Sequence, residues 1–167
     1  LTRHVFGSSS CGVCGKASIA AVQRQFPSVA DQVFSIAPEQ LFTGTSRMRA
    51  AQDAFAATGG LHAAALFSTD GTLRLLREDV GRHNAIDQIV GHAFRLGWLP
   101  LRSHILMVSG RSSFEIQQKA LAAGIACVAA VGAPSSLAVA FARETGQTLI
   151  GFLRTGRFNV YSGVERI

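Results

Sequence analysis

The chain is poor in cysteine, in lysine and in the two aromatic residues that carry a polar handle. Three cysteines among 167 residues, Cys11, Cys14 and Cys127, cannot all pair. Without the dense cysteine framework of a secreted scaffold, a reducing cytoplasmic setting is expected. No uninterrupted apolar run approaches the roughly 18 residues that a membrane span needs, so no membrane association is expected. The opening LTRHVFGSSSCG lacks an apolar h-region, hence no secretory signal is expected either. It also lacks an initiator Met, and Leu1 opens abruptly on a strand-like stretch, so the chain reads as a fragment, or the ordered part, of something longer. Trp98 and Tyr161 are single representatives of their types. They provide no aromatic platform for single-stranded nucleic acid, which falls well behind a small anionic ligand as a partner. Both the Gly-x-Gly dinucleotide fingerprint and the P-loop are missing, so any nucleotide is held by another scheme.

What is present is a globular composition, 48% hydrophobic and 16% charged, at a length that makes one domain with a real core. Sixteen basic against ten acidic side chains leave a formal charge of +6, and only Lys16 and Lys119 among the basic residues are lysines. Arginine's planar fork suits bidentate recognition of phosphate or carboxylate, although an arginine-rich proteome would give the same composition.

Residues 7–16, GSSSCGVCGK, have the composition of a loop. Further on, Met48, Ala51, Ala54 and Phe55 share one helical face before a Gly59-Gly60 stop. Two short strands follow, joined by a turn at Asp70-Gly71. The spacing of Ile86, Ile89, Val90, Ala93 and Phe94 predicts an amphipathic helix over 82–96, ended by Gly97 and Pro100. From there apolar strands alternate with helices: HILMVSG, then SSFEIQQKALAAG with Ser112-x-x-Glu115 as a capping box and Gly124 as its stop. ACVAAVG, PSSLAVAFARETG, TLIGFLR and FNVYSG complete the series. This pattern predicts an α/β domain of three layers with one β-hairpin and parallel pairing.

The loops EDVGRHNA, VSGRSSFE and VGAPSSLA each lead from a strand end into a helix. Carboxyl ends of parallel strands are where ligands sit, and helix N-termini favour anions. Arg82 and Arg111 stand just ahead of two of these helices. Any one loop is explained by capping serines and solvated arginines; three on one sheet edge favour a phosphate-bearing ligand. His83, at a helix start between Arg82 and Asn84, is the better functional candidate among the histidines; His4, His92 and His104 are taken as structural.

Cys11-Gly12-Val13-Cys14 is the sharpest short motif. Zinc needs two further ligands, and Cys127 lies in a buried strand, so zinc is weakly supported. A thioredoxin pair belongs at a strand–helix junction, whereas this one sits in a loop of glycines and serines. A mobile thiol pair suits a carrier that moves between partners, with Lys16 available to favour the thiolate. His62 invites comparison with zinc deaminases, whose signature is His-x-Glu followed by Pro-Cys-x-x-Cys. Here Ala64 replaces the Glu and Ser109-Gly110-Arg111 stands where cysteines would be. Deamination is therefore disfavoured, and His62 stays open between a core and a ligand-facing role.

The segments SSCGVCGKASI, TGGLHAA, EDVGRHNAIDQIVG, SGRSSFEIQQKALAAGI, APSSLAVAFA and GFLRTGRFNVYSG follow one another as in the formate dehydrogenase accessory sulfurtransferases, the FdhD/NarQ family, which the chain resembles over nearly its whole length. The resemblance implies a mixed sheet with helices on both faces, like that of cytidine deaminases. It implies a division into a flexible cysteine-loop segment, 1–36, and an α/β domain, 37–167, without the N-terminal region usual in the family. It also implies a sulfur carrier that takes persulfide sulfur from a cysteine desulfurase. The sulfur goes to the molybdenum (or tungsten) bis-guanine-dinucleotide cofactor, the bound substrate, for formate dehydrogenase. Cys11 would carry the persulfide with Cys14 assisting. The family's cofactor-contact segment falls on Phe152, Leu153, Arg154, Thr155, Gly156 and Arg157. Together with Arg82, His83 and Arg111 these would hold the cofactor, with Phe152 stacking on a base, and a GDP-like nucleotide would enter the same pocket. The family further suggests a homodimer. The rival readings are a chaperone that binds the cofactor without moving sulfur and, more weakly, a nucleotide-modifying enzyme of deaminase descent.

Overall fold

The computed structural model describes residues 26–167. Cys11, Cys14 and the strand-like opening lie outside the described residues. The described elements are α1 (Pro38–Ala50), α2 (Asp53–Thr58), β1 (His62–Ser68), β2 (Leu73–Asp79), α3 (Arg82–Arg95), β3 (His104–Val108), α4 (Phe114–Ala122), β4 (Cys127–Ala130), α5 (Ser136–Thr145), β5 (Thr148–Arg154), β6 (Arg157–Ser162) and a closing 3₁₀ turn, Val164–Arg166. Six strands form one sheet in the order β2-β1-β3-β4-β5-β6. The central β3-β4-β5 run is parallel, while β1 pairs antiparallel with both β2 and β3 and β6 pairs antiparallel with β5. The sheet is therefore mixed and α/β.

Successive strand residues point to opposite faces, and here both faces are covered. Ala64, Leu66, Leu106, Val108, Val128 and Ala130 face Ile86, Ile89, Ile116, Ala120, Ala138 and Ala142 of α3, α4 and α5. Ala63, Ala65, Phe67, Met107, Ala129 and Ile150 face Leu41 and Met48 of α1, together with Ile36. Every residue of β4 is buried, as a central parallel strand requires. Three layers result. Packing onto the domain begins before position 37: Val29 and Ile36 are buried, and Val29 N–H donates to the Thr145 carbonyl of α5 at 3.1 Å.

Four local expectations need correction. The helical face from Met48 to Phe55 belongs to two helices. The Glu78 carboxylate reaches over from β2 and accepts from Ala54 N–H (2.9 Å) and Phe55 N–H (2.8 Å), which starts a second helix there. Beyond it, Gly59 in the left-handed region ends α2. Among the described residues there are two hairpins instead of one, because β6 folds back on β5 through Thr155-Gly156, with Arg154 opposite Arg157. Phe94 is 73% exposed, so the buried stripe of α3 is Ala85, Ile86, Ile89 and Ala93.

The fourth concerns Ser112, which is not a helix cap. It bridges in parallel to Pro134, prolonging the β3–β4 pairing beyond the strands, and its hydroxyl accepts from Gln117 Nε2 at 2.7 Å. The N-cap position of α4 is Ser113. No helix among the described residues is long and apolar enough to cross a membrane.

Candidate functional site

The register fixes what meets at each edge of the sheet. His62 lies opposite Asp79, Ala64 opposite Val108, Val108 opposite Ala130, and Arg154 opposite Arg157. The loops into α3, α4 and α5, the β5–β6 turn and His62 therefore all lie along one edge. The three polar loops anticipated from the sequence do share it.

The middle of this edge is closed by backbone contact between two loops. Gly132 N–H donates to the Gly110 carbonyl at 2.9 Å, and a Cβ on Gly132 would stand 2.8 Å from the Arg111 backbone. A glycine at the end of each of two neighbouring buried strands was the signal for this close approach.

Around that contact lie three hollows. One, of about 330 Å³, is lined by Arg82, Arg111, Ser112, Ser113, Ala133, Pro134 and Ser135, the starts of three helices. Ser135 caps α5, its hydroxyl accepting from Ala138 N–H at 3.2 Å. The other two helices have no side-chain cap: Gly81 precedes α3, and Ser113 makes no cap hydrogen bond. Ser113 Oγ instead lies 3.0 Å from His83 Nε2. Uncapped first-turn N–H groups are anion-binding groups. Arg82 and Arg111 have no hydrogen bond or ion pair among the described residues, and Arg82 Nε is buried without a partner. A buried guanidinium nitrogen without an acceptor is costly and fits a site whose acceptors come with an anion.

His83 sits just behind this hollow, between Ser113 and Glu115, whose Oε2 is 3.6 Å away. Burial lowers its pKa, partly opposed by Glu115 and reinforced by Arg82, so the neutral imidazole is favoured. Lys119 ties Glu115 at 3.3 Å to Asp87 and holds the carboxylates of this network in place.

The second hollow, about 360 Å³, is lined by Phe152, Arg154, Arg157, Phe158 and Asn159. Its shape comes from an irregularity in the β5–β6 pairing between Gly151 and Arg154, where Phe152 adopts φ 52 and is 45% exposed. A bulky residue with positive φ is strained. Phe152 N–H is held by the Gly132 carbonyl at 3.1 Å, next to the arginine hollow. Arg154 Nη1 donates to the carbonyls of Val131 (2.5 Å) and Leu153 (2.8 Å), whereas Arg157 has no such partner among the described residues.

Thr155 and Gly156 form the exposed turn. Leu153 is fully buried in the core, so only its main chain is available to a ligand. The structure thus divides the candidate residues between two neighbouring hollows, with His83 behind one of them.

The third hollow, about 490 Å³, includes Met48, Arg49, Gln52, Phe55, His62, Ser109 and Val131 in its lining. His62 is therefore half-buried in the lining of a hollow and not a core histidine. The remaining lining residues were not read as site residues from the sequence, because residues from two helices and two strand ends reveal their convergence only after folding. Ala63 N–H donates to Ser109 Oγ at 2.8 Å, linking the start of β1 to the residue just after β3. Cys127 is apart from all three hollows, buried, with its thiol pushed up to about 12 by desolvation.

Comparison with known proteins adds a family. The FdhD/NarQ family model matches residues 1–167. The sulfur carrier protein FdhD of Streptomyces coelicolor is 54% identical over 169 residues, covering 100% of this chain and 60% of its own length. That of Mycobacterium tuberculosis is 51% identical, covering 100% of this chain and 61% of its own. The chain thus spans about three-fifths of the length of these curated relatives. A crystal structure of a Desulfotalea psychrophila protein assigned as a formate dehydrogenase accessory protein superposes with a TM-score of 0.78 at 27% identity, covering 90% of this chain and 62% of that one.

Proposed function

The chain belongs to the FdhD/NarQ family, and from that premise we propose that it is a cytoplasmic sulfur carrier for formate dehydrogenase maturation. In this reading Cys11 thiolate attacks the terminal sulfur of a cysteine desulfurase persulfide. The donor's S–S bond breaks, the donor thiolate leaves, and the sulfur remains as a persulfide on Cys11. Attack of Cys14 thiolate on the Cys11 sulfur then expels the terminal sulfur as hydrosulfide toward the metal, leaving the two cysteines as a disulfide for a cellular dithiol to reduce.

The receiving substrate is the molybdenum (or tungsten) bis-guanine-dinucleotide cofactor. Arg82 and Arg111, with the uncapped N-termini of α3 and α4, suit one pyrophosphate; Arg154 and Arg157 suit the other, with Phe152 against a base. His83 orients Ser113 at the rim of the first hollow. A homodimer is part of this reading. The observation that carries it is that Arg82 and Arg111 have no acceptor among the described residues and stand at helix starts lacking side-chain caps.

Intact-protein mass spectrometry after incubation with a cysteine desulfurase and cysteine tests it. The expected result is a gain of one sulfur mass, absent in Cys11→Ala and reversed by a reductant. A folded protein that binds GDP yet takes up no sulfur would instead make this a cofactor-sheltering chaperone.

A further inference from the structure

We infer that His83 is a proton-linked positioning residue: when a phosphate group enters the arginine hollow, the imidazole takes up a proton from solvent and the Ser113 hydroxyl hydrogen turns to the anion. This deepens the cofactor-binding reading above and rests on it.

His83 Nε2 has two neighbours of unlike capability. Ser113 Oγ, 3.0 Å away and in the lining of the hollow, can give or take a hydrogen. Glu115 Oε2, 3.6 Å away, can only take one, and it is buried without a hydrogen bond of its own. A buried carboxylate oxygen left without a donor is costly, and the donor beside it is a charged imidazole. A neutral ring with a bare Nε2 accepts from Ser113, which then shows the hollow only its lone pairs, the wrong polarity for a phosphate. A charged ring carries a hydrogen on Nε2 for Glu115 or Ser113 Oγ, and the hydroxyl hydrogen is released to the anion.

The charges around the ring oppose one another. Arg82 on α3 and Lys119 on α4 disfavour the imidazolium, Glu115 on α4 and Asp87 on α3 favour it, and burial tips the empty site to the neutral form. Lys119 is engaged by Asp87 and by Glu115 Oε1, which leaves Oε2 to the ring. Asp79, at the end of β2, is turned to Gly81 N–H, Asn84 and Gln88. β1 brings His62, which borders Gly110 as the Arg82 stem does, and the loop ahead of α4 brings Arg111. An entering phosphate offsets the arginines and adds negative charge, so it raises the proton affinity of the ring. Anion and proton therefore favour each other's binding.

The test is calorimetric titration of the full chain with diguanosine 5′,5′-pyrophosphate in two buffers of different protonation enthalpy, at several pH values. The diester phosphates of this probe do not titrate near neutral pH, so any proton taken up enters the protein. Uptake should approach about one proton per probe bound, and affinity should fall by up to about tenfold per unit as pH rises above the free-ring value, which lies beneath 6.5. His83→Gln should abolish both the uptake and the pH dependence. A merely structural histidine would instead lower affinity equally at every pH. Glu115→Gln should keep the uptake but move it to lower pH, and Ser113→Ala should weaken binding about tenfold at low pH. No uptake in the parent, uptake that survives in His83→Gln, or parental affinity in Ser113→Ala would overturn the inference and leave the cofactor-binding reading intact. If the folded parent does not bind the probe at all, that reading fails and this inference falls with it.

Discussion

The two edges of the sheet hold arginines in opposite circumstances. At the edge where β5 begins, Arg166 is buried and its guanidinium donates to the carbonyls of Gln32 (3.0 Å), Gly146 (3.0 Å) and Val29 (3.1 Å) and to Thr148 Oγ1 (3.1 Å). At the edge where β5 ends, Arg82, Arg111 and Arg157 find no acceptor among the described residues. The first arrangement closes the fold by satisfying a charge internally with backbone dipoles. The second leaves charge and helix N–H groups facing outward. One side chain type thus supports stability at one edge and, in the proposed reading, recognition at the other, and what decides is whether the chain supplies the acceptors itself.

The largest expected effect breaks the satisfied edge. Arg166→Met leaves several buried carbonyls unpaired and should cost about 3–5 kcal/mol in urea unfolding. Arg111→Met should stay within about 0.5 kcal/mol of the parent while lowering GDP affinity at least about tenfold. If the two stability effects were equal, the contrast would be lost. Within the contact segment, Leu153→Ala opens a cavity in the core and should cost about 2–5 kcal/mol; Phe152→Ala, at a half-exposed position, should affect binding far more than stability. Gly132→Ala drives a Cβ into the Arg111 backbone at 2.8 Å and should cost about 1–3 kcal/mol. Gly110→Ala meets only side-chain atoms at 3.4 Å and should cost clearly less, by thermal melting.

The smallest effect is a pH dependence. Burial lowers the His83 pKa beneath its ordinary value of 6.5. The unfolded chain therefore takes up this proton first, and the contribution is fully present above 6.5 and lost as pH falls through the folded value. His83→Gln should flatten the fall in stability below pH 6.5, measured by urea unfolding at several pH values.

The α/β class, the three-layer arrangement and the shared edge of the polar loops were legible in the sequence because apolar strands alternating with helices leave few ways to cover a sheet. The second hairpin was not, since TLIGFLR and FNVYSG read as separate strands and only Thr155-Gly156, with Gly156 at φ 82, joins them. Ser112 looked like a cap because Ser-x-x-Glu is a capping pattern, but sheet pairing to Pro134 took it instead. The break between α1 and α2 depends on Glu78, more than twenty residues away in sequence, so no local pattern could announce it. The place of Arg82 and Arg111 on this edge was legible from their position just ahead of helices.

The most direct test of the contrast between the edges is an amide ¹H–¹⁵N titration of the chain with GDP. The account predicts shifts clustered at 81–83, 110–113, 132–136 and 152–157, with 29–32, 146–148 and 163–166 unmoved. Shifts centred on the Arg166 edge, or none on folded protein at saturating GDP, would contradict it.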